Sequence, residues 1–279
     1  MALNLMYITN RPEVAKIVED AGVDRVFLDL EYIGKADRQG GMDTVQSRHT
    51  LDDIKELSRT LRTSELLVRV NPIHEATKAY CSSKEEIDIA IANGADILML
   101  PYFKTVREVA SFIEYTDGRA KTMPLVETPE AAAAIDEILA LDGLDEIFVG
   151  LNDLSLGFGM KFMFQLLSDG TVEKLCMKFR QKGIPYGFGG IAALGKGALP
   201  SEYVIREHYR LGSTRAILSR SFCNTSVITD PDEIRSIFES GMRDIRALEQ
   251  ECELHARYFY DNLQEVIARV NRIVEPADN

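Results

Sequence analysis

Eight short apolar runs, most of them separated by stretches with helical spacing, constrain this chain more than any other feature of it. They are LNLMYIT (3–9), RVFLDL (25–30), ELLVRV (65–70), DILMLP (96–101), TMPLVE (122–127), EIFVG (146–150), IPYGFG (184–189) and RAILS (215–219). None alternates polar with apolar, as a strand with one wet face would, so each reads as a strand buried on both faces of a parallel sheet. Between them lie segments such as RPEVAKIVEDAG and SKEEIDIAIANGAD, with apolar residues at helical intervals. Gly22, Gly94 and Gly183 fall where a helix must stop before the next strand begins. Eight such units predict an α/β fold, a (β/α)8 TIM barrel over residues 1–228, rather than an open doubly wound sheet. No GxGxxG follows the first strand, which counts against the dinucleotide-binding alternative.

Two connections are longer than a simple turn. EYIGKADRQGGMDTVQSRHT (31–50) follows the second strand, and the Gly-rich GIAALGKGALP (190–200) follows the seventh. Both leave the C-terminal ends of strands, the face on which barrel active sites are built. From Asp230 the chain reads as two helices, with Asp230-Pro231 as cap and first residue and the last helix expected over about 244–274. Residues 229–279 are therefore expected to form a helical extension that packs on a partner subunit.

Composition narrows the partners. A net charge of −12 argues against nucleic acid and anionic membranes as partners, though a local arginine and a metal can still dominate one pocket. Four scattered cysteines (Cys81, Cys176, Cys223, Cys252) form no CxxC and point to reduced thiols. The N-terminus MALNLMYITNRPEV lacks the pattern of a secretion signal, and no run reaches 18 apolar residues, so a cytoplasmic protein is expected.

In a barrel, polar residues at strand ends face the mouth. Here those ends carry Asp29 and Glu31, Arg69 and Asn71, Glu127, Asp153, and the trio Ser219, Arg220 and Ser221. Strands five and six are neighbours, so Glu127 and Asp153 can converge. Crowded carboxylates repel unless a cation or a shared proton neutralises them. Oxygen-only ligands select a hard cation, Mg2+ or Mn2+, and no organic cofactor is called for. Arg69 across the mouth offers a fixed positive fork to a carboxylate or an enolate oxygen. Each has a plainer reading: Asp153 as the cap of a helix beginning near Leu154, Glu127 as a solvated strand-end acid, Arg69 as a structural ion-pair partner.

PLVETPEAAAAIDEIL followed by LDEIFVGLNDLS resembles the metal-binding pattern of the HpcH/HpaI aldolases, whose wider relatives are citrate lyase beta subunits and malyl-CoA lyases. The resemblance runs in order and spacing over residues 3–222. It implies Glu127 and Asp153 as metal ligands, Arg69 in an R-x-N setting, Asp29 and Glu31 as the D-x-E after strand two, and a homo-oligomer, trimer or hexamer. This chain departs from the pattern at three places: Tyr32 stands where the aldolase branch has its acid/base histidine, Leu125 replaces a glutamine, and Leu151 replaces a proline. A substitute acid/base is sought in the long second loop, where His49, Arg38 and Lys35 are within reach of the mouth; His49 is read as the one histidine in such a loop, with a polar loop residue as its plainer role. His208 reads as helical and peripheral, and His255 lies in the tail. Arg38, Asn71, Leu151, Asn152 and Arg220 are the candidates to touch substrate.

The resemblance implies that a metal on Glu127 and Asp153 would chelate a 2-oxo acid, Arg69 would stabilise its enolate, and an aldehyde or acyl group would be the acceptor. No lysine in the eight strand cores offers the Schiff-base alternative. Lys35, Arg38 and Arg220 hint at an anionic acceptor. Two other functions remain: CoA-ester lyase chemistry on the same site, favoured by DLE and RVNP, and a non-catalytic metabolite-binding or scaffold barrel, made thinkable by Tyr32 and Leu125.

Overall fold

The computed structural model describes residues 2–35, 49–254 and 258–275. Its eight strands are β1 (Asn4–Ile8), β2 (Arg25–Asp29), β3 (Glu65–Arg69), β4 (Ile97–Leu100), β5 (Lys121–Val126), β6 (Ile147–Val149), β7 (Tyr186–Ile191) and β8 (Arg215–Leu218). They pair in parallel in sequence order, and β8 closes on β1 with Met6 opposite Ile217. The expected barrel is therefore the observed one, with boundaries shifted by one or two residues. β5 starts at Lys121, but that side chain lies at the open lower end of the strand and pairs with Glu65, so no strand-core lysine results.

Two apolar layers follow from burial on both strand faces. Inside the barrel, Met6, Phe27, Leu67, Ile97, Met99, Met123, Leu125 and Phe148 fill the lumen. Outside, the other strand face packs against the helices through residues such as Val14, Ile54, Phe112 and Phe179. Gly187 makes room for the filling: a Cβ there would stand 2.6 Å from Phe148 Cε2.

Ions seal the N-terminal ends of the strands. Arg25 donates to both oxygens of Glu146 at 2.7 and 2.6 Å and to Glu65 at 2.9 Å, and Arg215 adds a bond to Glu146 at 2.8 Å. Burial alone would raise the Glu146 carboxyl, but the two guanidiniums outweigh it and hold the group down at about 2.

The C-terminal helices differ from expectation. One runs unbroken over Pro231–Leu254 and a second over Tyr258–Val274, so no helix starts near 244. Gly241 is a helix-interior residue whose missing side chain lets Phe222 approach: a Cβ would lie 2.6 Å from its Cζ. The longer helix clasps the chain start, with Leu3 N–H donating to Glu249 at 2.6 Å and Arg246 donating to the Leu3 carbonyl at 2.9 Å. The last helix lies on Ser201–Leu211 of the same chain, where Asn262 donates to the Tyr203 carbonyl and to Glu207. His208 is helical but not peripheral: it is fully buried, and its ring stacks on Phe188 at 3.9 Å. His255 and Arg38 lie outside the described residues. No helix among the described residues is long and apolar enough to cross a membrane.

Candidate active site

Glu127 is the first residue after β5, and Asp153 lies in the first turn of the helix Leu151–Gly157, one residue beyond β6. Both are buried, at 4% and 8% exposure, so the solvated strand-end reading of Glu127 does not hold. Nor does Asp153 cap a helix: the helix begins at Leu151, its N-cap is Gly150, and no side-chain cap bond is made. A carboxylate in a first helical turn instead sits in the favourable field of the exposed backbone N–H groups.

Two backbone features hold Glu127. Tyr102, just past β4, adopts the left-handed region at φ 46°, rare for a large side chain, and its N–H donates to Glu127 Oε1 at 2.9 Å. On the other side, a Cβ on Gly150 would stand 2.7 Å from Glu127 Oε2, so only glycine lets the β6 end pass this carboxylate. Burial, reinforced by the negative charges of Glu31 and Asp153, pushes the Glu127 carboxyl up to about 8; Arg69 and the Tyr102 amide oppose the shift without cancelling it. Two buried acids with hard oxygen donors, one of them too crowded to ionise easily, fit a small divalent cation, which would relieve that crowding. Among the described residues no group of three or more His, Cys, Asp or Glu is arranged to hold a metal, and a cation held by Glu127 and Asp153 would need water or substrate to complete its set.

Beside this pair lies a dense ionic knot. Arg69 Nε and Nη2 donate to Asp29 Oδ1 and Oδ2 at 2.8 and 2.7 Å, and Nη1 stands 3.5 Å from Glu31 Oε2. Lys35 Nζ donates to Asp29 Oδ2 at 2.7 Å and lies 3.4 Å from Glu31. Burial would raise the Asp29 carboxyl, but Arg69 and Lys35 outweigh it and hold the group far below the ordinary carboxylate range. The Arg69 fork is thus occupied by Asp29 rather than open to a ligand. Its charge still borders a cavity of about 180 Å³ lined by Glu127, Asp153, Leu151, Asn152, Leu125 and Phe148 among others. A second cavity, of about 510 Å³, shares Glu127 and Asp153 and opens past Tyr102, Lys104 and Glu130.

The structure brings Arg69, Asp29, Glu31, Glu127, Asp153, Leu151 and Asn152 to one place, and sets the other described candidates, His49, Asn71 and Arg220, apart from it. His49 lines a different cavity, between the β2 and β3 ends, and its Nδ1 accepts the Asp29 N–H at 3.0 Å. Burial lowers its pKa, against the opposing pull of the Asp29 and Asp53 charges. Asn71 is consumed by structure: Oδ1 accepts the Tyr32 and Ile33 N–H groups, and Nδ2 donates to Glu86. Arg220 is exposed at the β8 end and lines neither cavity at Glu127. Tyr32 is also an exposed residue, at 58%.

Three residues were not foreseen in their places. His74 occupies a second loop at the C-terminal face, bonded to the Pro72 and Cys81 carbonyls, so His49 is not alone in such a loop. Lys35 belongs to the Asp29 knot; its spacing of four and six residues from Glu31 and Asp29 was the available signal. Tyr102 acts through its amide, which no residue-type pattern reveals.

A profile of the HpcH/HpaI aldolase/citrate lyase family matches residues 4–163. A hydroxypyruvate/pyruvate aldolase from Rhizorhabdus wittichii is 51% identical over 59 residues, 21% of this chain and 24% of that protein, so the match spans about a quarter of that relative. Among solved structures, an HpcH/HpaI aldolase from Desulfitobacterium hafniense superposes with TM-score 0.60 at 16% identity, covering 82% of this chain and 92% of the other. An HpcH/HpaI aldolase/citrate lyase family protein from Burkholderia cenocepacia gives TM-score 0.61 at 15% identity, covering 84% and 95%. At such identities the superpositions speak for the barrel alone.

Proposed function

Because this chain belongs to the HpcH/HpaI aldolase/citrate lyase family, we propose that it is a divalent-metal-dependent aldolase acting on a pyruvate-like 2-oxo acid. The observation that carries this reading is the convergence of two buried carboxylates, Glu127 and Asp153, with Arg69 on the same cavity. Glu127 and Asp153 would hold Mg2+ or Mn2+, which supplies Lewis-acid charge to a 2-oxo acid when bound.

The chain's own side chains do the rest. Arg69 is locked by Asp29 and contributes a fixed positive charge where enolate charge develops; a preorganised charge in a dry pocket is worth far more than one in water. Leu125, Phe148, Phe27 and Met99 line the cavity and exclude water from a carbanion-like centre. Leu151 and Asn152 border the place of the donor. His49 has no part in proton transfer here, since its Nδ1 is engaged and its cavity is a different one.

The test uses pyruvate with Mg2+ or Mn2+ in D2O, following the methyl protons by NMR. Exchange that stops with EDTA and in Glu127→Gln is expected, together with loss of Mn2+ binding in that variant. Absence of both exchange and divalent-ion binding in the unaltered protein rejects the reading.

A further inference from the structure

Glu86 is 4% exposed, on the buried face of the helix Ser83–Ala92 with Ile87 and Ala90, yet it lines neither cavity at Glu127. Burial pushes its carboxyl up, against the pull of its bonds from Asn71 and of nearby His74. A carboxyl in that place carries a desolvation cost that an apolar side chain would not. What it holds is Asn71, just past β3: Nδ2 donates to Glu86 Oε1 at 2.8 Å, and the Asn71 N–H lies 3.3 Å from each carboxyl oxygen. The helix start is fixed against this strand end by reciprocal bonds. Ser83 N–H donates to the His74 carbonyl at 3.1 Å, and His74 N–H donates to Ser83 Oγ at 2.8 Å.

With Nδ2 held, the Asn71 amide presents its oxygen in one direction. Oδ1 accepts the consecutive N–H groups of Tyr32 and Ile33 at 2.8 and 2.9 Å. An amide free to flip would offer those donors an NH2 group instead, and both would lose their acceptor. Tyr32 and Ile33 lie outside any strand or helix, between the residues that this segment sends into the ionic knot. Glu31 stands 3.5 Å from Arg69 Nη1, and Lys35 donates to Asp29 Oδ2 at 2.7 Å. A series of bonds thus runs from a helix on the outside of the barrel to the charges around Arg69.

We propose that Glu86 is a positioning residue: by fixing the Asn71 amide it holds the Tyr32–Ile33 backbone, and so seats Glu31 and Lys35 against Asp29 and Arg69. Its effect on the reaction rests on the aldolase reading; the seating of Lys35 does not. Without the relay, Lys35 leaves Asp29 and the charge near the developing enolate is misplaced. Turnover then falls more than substrate affinity does.

Mass spectrometry reads the seating, as acylation of buried Lys35 relative to exposed Lys104 and as deuterium exchange at the Tyr32 and Ile33 amides. Methyl-proton exchange of pyruvate, resolved into kcat and KM, reads the consequence. Glu86→Leu is expected to speed Lys35 acylation and exchange at both amides about tenfold, and to lower kcat about tenfold with KM little changed. Asn71→Asp, which loses the Nδ2 donor and sets two carboxyls face to face, is expected to do the same. Adding Glu86→Gln to Asn71→Asp restores protection and turnover, because the introduced amide donates to the introduced carboxylate with donor and acceptor exchanged. A cooperatively folded Glu86→Leu in which Lys35 and both amides stay protected overturns the proposal. So does a double variant that recovers no protection, whether or not the single variants fold. If the unaltered protein shows no pyruvate exchange, the aldolase reading fails, and acylation with amide exchange still decides the seating.

Discussion

Asp29 accepts four donors with one carboxylate: Arg69 Nε and the Glu31 N–H on Oδ1, and Arg69 Nη2 and Lys35 on Oδ2. Such saturation makes it a positioning group for Arg69, a role that D-x-E in the sequence does not distinguish from acid/base work. The charged residues of the site were legible because strand ends in a barrel face one way. Which charge takes which partner was not, because it depends on side-chain reach across neighbouring strands. His208 shows the same limit more sharply, since its burial depends on which helix face meets Phe188. Burial lowers its pKa to about 3, whereas an unfolded chain protonates near 6.5. The unfolded state therefore binds the proton first as pH falls, so the stability contributed by neutral His208 is complete above about pH 6.5 and is lost towards pH 3. His208→Phe, which can keep the stack, is expected to remove about 1.4 kcal/mol of stability loss for each pH unit across that window. Urea midpoints of both proteins between pH 6.5 and 4 check this.

Among the elements, the strands were readable because burial on both faces leaves an uninterrupted apolar run, and every run became a strand. The C-terminal helices were less readable. Gly241 lies inside Pro231–Leu254 for a packing reason, and nothing in local composition separates a glycine that ends a helix from one that admits Phe222. The ion network at the lower strand ends is also invisible locally, since Arg25, Glu146 and Arg215 come from three separate elements. Its consequence is measurable. Glu146→Leu leaves Arg25 buried at 2% exposure with Glu65 as its remaining carboxylate partner, and is expected to cost about 3–5 kcal/mol. Divalent-ion binding should survive wherever the variant is folded, because the network lies at the opposite end of the barrel. Chemical denaturation read beside Mn2+ titration tests both halves of that statement.

For the whole molecule, the two C-terminal helices complete the outer ring: one holds the chain start and the other covers the Tyr203–Glu207 face. Val266 and Val270 are buried at 0% and 1% exposure, so the double variant Val266→Ala, Val270→Ala is expected to lose roughly 2–4 kcal/mol. Thermal unfolding measures the loss, and pyruvate exchange at low temperature shows whether the mouth is untouched. The fuller meaning of the lower seal lies in traffic. With apolar side chains packing the lumen and guanidiniums bolting its base, the barrel is a room with one door. Traffic to the small cavity beside Arg69 is thus confined to the C-terminal mouth of the barrel, the end opposite the guanidinium seal.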